Sequence, residues 1–98
     1  MNKEQVIATL KSHELELRRR GVLHAALFGS VARGDNHAGS DIDIMIEVDP
    51  KARITLFGYV GLKEYISGLF TLPVDVVDRH GLKPYVRPPA EDDSVYAF

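Results

Sequence analysis

The stretch DIDIMIEV, residues 41–48, limits the fold more than any other part of the chain. Side chains alternate along a strand, so Ile42, Ile44, Ile46 and Val48 share one face while Asp41 and Asp43 share the other. Branched apolar residues at period two require a core beneath them. That pins the register, because a slip of one residue would bury both carboxylates. Two carboxylates one pleat apart also repel each other, and a cation between them relieves the repulsion.

Which cation is narrowed by what the chain lacks. It has no cysteine, so disulfides, thiolate nucleophiles and thiolate metal sites are excluded, and a bound metal is left to carboxylate, imidazole or carbonyl groups. Hard oxygen donors suit magnesium, which keeps several waters and is usually shared with substrate phosphates.

Around this strand the pattern predicts alternating elements. Val6, Ile7, Leu10, Glu14 and Leu17 recur at roughly helical spacing, so residues 3–20 read as one amphipathic helix closed by Gly21. VLHAALF, residues 22–28, reads as a buried strand ending at Gly29-Ser30, and residues 30–35 as a short helix leading into a loop of turn formers up to Ser40. A helix is expected over residues 55–70 with Thr55 as N-cap, and a third strand over 72–79. The tail, with three prolines and an acidic run, predicts irregular structure with one helical turn near residues 90–96. The sum is an α/β chain, a small mixed β-sheet flanked by helices.

Asp75, a lone acid in the run VDVV, repeats the pattern of the second strand. If the third strand pairs beside the second, Asp41, Asp43 and Asp75 line one sheet face. Three such acids could hold two metals about 3.5–4 Å apart, the arrangement that stabilises the attacking and leaving oxygens of a phosphoryl displacement. Gly29 and Ser30 supply the other half of such a site. Glycine admits a phosphate close to the backbone, and the amides of the following turn and the Ser30 hydroxyl donate to its oxygens.

Composition sets the outer bounds. With 98 residues, 45% hydrophobic and 27% charged, residues 1–98 are expected to form one domain around one modest core. A net charge of -2 argues against duplex nucleic acid as a partner, since such affinity comes mainly from Lys and Arg. No apolar run approaches the roughly 20 residues of a membrane span, and the polar opening MNKEQVIATLKSHE is unlike a signal peptide, so a cytoplasmic protein that binds no membrane is expected. Arg18, Arg19 and Arg20 end the first helix, where cations complement the helix dipole; a partner surface or a phosphate tail is the other reading.

Taken in order, GSVARGDNHAGSDIDIMIEV resembles the signature of the DNA polymerase beta-like nucleotidyltransferase superfamily, in its small prokaryotic minimal nucleotidyltransferase (MNT) branch. That signature is Gly-Ser, an interval, Asp-x-Asp between apolar residues, and a third acid on a later strand. The resemblance extends through TLFGYVGLKEYI and PVDVVDRHGLKP. It implies a polymerase-beta-like palm that transfers a nucleoside monophosphate, adenylyl from ATP, to a hydroxyl with two magnesium ions. It further implies that Asp41 and Asp43 hold both metals, that Asp75 holds the catalytic one and helps activate the acceptor, and that Gly29 and Ser30 grip the triphosphate. Arg33 contacts phosphate or braces the loop. Members of this branch are often antitoxins of HEPN-domain ribonuclease toxins, some of which they neutralise by adenylylating a tyrosine. The implied partner is therefore a HEPN-domain toxin, within a homo- or hetero-oligomer. Two other readings stay open: a non-catalytic antitoxin that acts by occlusion, and a nucleotidyltransferase for a small-molecule hydroxyl. PPAEDD departs from the helix expected near the end of such chains.

Little sequence remains after the sheet and two main helices to hold an acceptor, so another chain is expected to complete the site. Gly58, Gly61 and Gly68 each cost about 1 kcal/mol against Ala in a helix interior, which calls for a close neighbouring backbone, the domain's own sheet or a partner helix. Of the four histidines only His37, in the loop before Asp41, is expected near the site, and Tyr59, Tyr65, Tyr85 and Tyr96 read as packing residues.

Overall fold

A computed structural model describes residues 2–35, 41–79 and 94–98. The expectations for residues 36–40, including His37, and for His80, Tyr85 and the tail up to residue 93 lie outside the described residues.

The pattern expected as one helix over residues 3–20 forms two, α1 (Lys3–Ser12) and α2 (Glu14–Arg19). The break has a local cause. An unbroken helix would direct the His13 amide to the Thr9 carbonyl. That carbonyl instead receives the Ser12 hydroxyl at 2.8 Å and lies 2.9 Å from His13 Nδ1, while the His13 amide turns to the Leu10 carbonyl at 3.1 Å. Side chains that compete for backbone carbonyls bend or end helices. At the start of α1 the Asn2 side chain accepts from the Gln5 amide at 2.9 Å and the Gln5 side chain accepts from the Asn2 amide at 3.0 Å, a capping box that the periodicity alone does not reveal.

Four strands form one mixed sheet in the order β3-β2-β1-β4. β1 (Val22–Phe28) and β2 (Ile42–Val48) are antiparallel, and β3 (Val74–Asp78) runs parallel to β2. Each of these three lies within its expected span. β4 (Val95–Tyr96) corrects the expected helical turn near residues 90–96: Val95 and Tyr96 pair with Leu27 and Ala26 of β1, and the Ala97 amide bonds the Ala25 carbonyl at 2.8 Å. The free edge of β1 offers backbone partners to an extended segment, and Val and Tyr suit a strand better than a helix.

α3 (Gly29–Arg33) follows β1 directly, and α4 (Leu56–Ser67) connects β2 to β3 after a 3-10 turn at Pro50–Ala52. Thr55 is the N-cap expected of it, its hydroxyl accepting from the Gly58 amide at 3.0 Å. The core lies on the isoleucine side of the sheet: Ile42, Ile44 and Ile46 are fully buried with Val6 and Leu10 of α1, Leu17 of α2, and Leu62 and Ile66 of α4. Val48, at the strand end, is only half-buried.

Two of the three clustered arginines, Arg18 and Arg20, lie against aromatic rings of this chain, while Arg19 stays exposed. The Arg18 guanidinium lies over the Phe98 ring at 4.9 Å and donates to the Leu23 carbonyl at 3.0 Å, and Arg20 lies over Tyr65 at 4.4 Å. Their ion pairs with Glu14 and Glu16 complete this arrangement, which holds α2 against α4 and the C-terminus. Among the described residues no helix is long and apolar enough to cross a membrane.

Candidate active site

Strand register decides which acids meet. In the β2–β3 pair Asp43 stands opposite Asp75, so the two share a face, and it is the face turned away from Ile42 and Ile44. Asp41 sits one residue before β2, exposed, two positions from Asp43. The three predicted acids are thus brought to one end of one sheet face.

The other strand partner of Asp43 is Phe28, the last residue of β1, which sets Gly29 beside the same carboxylate. Gly29 has φ +74, a conformation that costs any residue with a Cβ about 1–2 kcal/mol. A Cβ built there would also overlap the Asp43 carboxylate oxygen, 3.0 Å from its carbon and 3.2 Å from the Asp43 Cβ. Glycine is demanded twice, by the turn and by the acid. α3 then runs only five residues, with Val31 and Ala32 packed into the core, before Gly34 at φ +80 ends it and the Asp35 amide bonds the Ser30 carbonyl at 3.1 Å.

The repulsion inferred for this face concentrates on Asp43. Partial burial raises its carboxyl above the ordinary range, the charges of Asp75 and then Asp41 raise it further, and the Arg33 guanidinium opposes them. Arg33 also pairs through Nε with Asp35 at 3.1 Å.

The donor set fits a hard divalent cation. All three groups are carboxylates, and a cation beside Asp43 would relieve the repulsion that raises its pKa. Among the described residues no three acid or histidine groups close into an ion cage, and no enclosed pocket forms. Asp41 and Asp75 face solvent, so an ion here would draw remaining ligands from water and from a bound substrate, as magnesium commonly does. Farther along, Glu47 and Arg79 form an ion pair at 3.8 Å. Period two carries both onto the acid-bearing face, a signal that extending the alternation past Asp43 and Asp75 would have found.

Residues 10–97 match the nucleotidyltransferase domain family. The chain is 33% identical over 94 residues, 95% of its own length and 93% of the relative's, to protein adenylyltransferase MntA of Thermococcus cleftensis. A solved structure bearing the minimal nucleotidyltransferase name superposes with a TM-score of 0.79 at 29% identity, over 97% of this chain and 95% of that one. A second, of the tri-AMPylated Shewanella oneidensis HEPN toxin in complex with MNT antitoxin, gives 0.64 at 16% identity over 94% and 71%, a likeness of fold alone. With its mixed sheet shared with the minimal nucleotidyltransferases and a family match spanning all four strands, this chain belongs to the nucleotidyltransferase domain family.

Proposed function

We propose that this nucleotidyltransferase transfers adenylyl from ATP, with magnesium, to a side-chain hydroxyl of a HEPN-domain toxin, and so acts as that toxin's antitoxin. The observation that carries the reading is the pairing of Asp43 with Asp75 beside a glycine that has no room for a side chain. The name of the MntA relative and the AMPylated toxin of the second structural neighbour support a protein acceptor.

In this reading Asp41, Asp43 and Asp75 would be the carboxylates that hold magnesium. Bound magnesium supplies the positive charge that offsets the triphosphate and the charge developing on the transferred phosphoryl group. Gly29 lets the triphosphate approach the backbone, the Ser30 hydroxyl donates to it, and Arg33 turns from Asp35 toward its oxygens. The acceptor hydroxyl then attacks the α-phosphorus: a new oxygen–phosphorus bond forms, the α–β anhydride bond breaks, and pyrophosphate leaves. Asp75, exposed beside Asp43, takes the acceptor's proton. The open face leaves the acceptor to be delivered by the partner.

The test replaces Asp41 and Asp43 together by Asn, which keeps their volume and removes their charge. The variant is expected to fold and bind the toxin, to leave the toxin's intact mass unchanged where wild type adds AMP, and to stop protecting cells. A folded variant that protects as well as wild type makes the chain an occlusion antitoxin. Wild type that labels a small hydroxyl compound such as an aminoglycoside, and never the toxin, supports the small-molecule reading.

A further inference from the structure

Phe28, Asp43 and Asp75 stand side by side across β1, β2 and β3, one residue from each strand. Paired residues share a sheet face, so Phe28 lies on the face of the two acids and away from its neighbour Leu27, which is fully buried in the core. Core packing therefore does not account for an aromatic residue at this position. Phe28 is half-buried, not sealed, and the pairing of β4 with β1 covers Ala26 and Leu27 and stops short of it.

The row has a direction. In-line transfer puts the attacking and leaving oxygens on opposite sides of the α-phosphorus. Asp75, on β3, stands at the acceptor's end, and Gly29 and Ser30, which follow Phe28 directly, stand at the triphosphate's end. Phe28 is thus on the nucleotide's side of Asp43, with Asp75 two strand spacings away, about 9–10 Å. A phenyl ring has no hydrogen to donate to a phosphate and its face is electronegative, so the triphosphate gains nothing from it. The base is the flat π surface that the donor carries, and only the ribose separates it from the α-phosphate.

We propose that Phe28 is the seat of the donor's base: its ring stacks on the base and sets the nucleoside, while Gly29 and Ser30 set the triphosphate. This rests on the nucleotidyl-transfer reading above. Stacking reads the π face of a base and not its edge, so the ring contributes affinity for purine nucleotides without choosing between ATP and GTP.

The test separates base from phosphate. Phe28→Leu keeps an apolar side chain and removes the π face. Wild type and this variant are titrated by calorimetry with magnesium-ATP, with magnesium-GTP and with magnesium tripolyphosphate, which has three linked phosphates and no base. Phe28→Leu is expected to bind both nucleotides about ten-fold more weakly and to bind tripolyphosphate as wild type does. The chain has no tryptophan, so Phe28→Trp introduces a single indole, whose fluorescence is expected to be quenched by ATP and not by tripolyphosphate. An equal loss for ATP and tripolyphosphate makes the ring a support for the phosphate turn and overturns the base seat. So does an indole that ATP leaves unquenched, and so does unchanged ATP affinity with weaker binding of the toxin, which would move the ring to the acceptor. In each of these cases wild type that transfers AMP to the toxin leaves the proposed function standing, whereas wild type that binds neither nucleotide overturns both.

Discussion

Gly29 and Gly34 bracket α3 at nearly the same backbone angle, φ +74 and +80, but only one of them touches an acid, and that makes a controlled experiment. An alanine at Gly34 meets nothing within 4 Å among the described residues, so Gly34→Ala is expected to carry the backbone term, about 1–2 kcal/mol. For a domain of this size each kcal/mol lowers Tm by roughly 4–8 °C. Gly29→Ala carries the same backbone term and also drives a methyl into the Asp43 carboxylate. The carboxylate can rotate away at about 0.5–1.5 kcal/mol for an off-rotamer side chain, but doing so takes Asp43 out of register with Asp75. The stability difference between the variants is therefore small, about 1 kcal/mol, while the functional difference is large, because a misplacement of about 1 Å costs on the order of 10²-fold. The assay is AMP transfer to the toxin at a temperature where circular dichroism shows both variants folded, next to their melting curves. Gly34→Ala is expected within a few-fold of wild type and Gly29→Ala about 10²-fold below it. Equal activities for the two variants would refute the argument that the room at Gly29 belongs to Asp43.

The raised Asp43 carboxyl carries a sign that can be measured with metal chelated. An acid whose pKa is raised on folding contributes stability below its unfolded value, and loses it as pH rises through the folded one. Asp43→Asn is therefore expected to be the more stable protein at pH 7, with an advantage in urea unfolding that shrinks on acidification toward the ordinary carboxylate range; an advantage that grows toward acid counts against it. Thr55→Ala removes the hydroxyl that caps α4 and is expected to cost about 1 kcal/mol, seen as a Tm lower by roughly 4–8 °C; an unchanged Tm would mean water replaces the cap. Duplex DNA or RNA is expected not to bind at physiological salt, given the net charge of -2 and the internal use of Arg18 and Arg20. Sub-micromolar, salt-sensitive affinity in a fluorescence titration would reveal a basic face that these contacts do not account for.

Features decided within a few residues are legible in the amino-acid sequence by itself. The alternation in DIDIMIEV puts Asp41 and Asp43 opposite three buried isoleucines, because strand geometry makes period two strict and leaves no other face for the carboxylates. Thr55 as a cap and the turn at Gly29 are legible for the same reason, since neither needs a distant partner. Strand order is decided elsewhere. That β3 lies beside β2, so that Asp75 meets Asp43, depends on pairing between segments some thirty residues apart, and VDVV alone reads equally well as a strand facing solvent. The tail shows the same limit, since Val95 and Tyr96 become a strand only because β1 presents a free edge. The break at His13 depends on two side chains competing for one carbonyl, which spacing does not encode. The outer side of α4 is the clearest case: its sequence predicts an apolar helix, but only packing could decide which side the core would cover, and Leu62 and Ile66 took that side and left Phe57 in water.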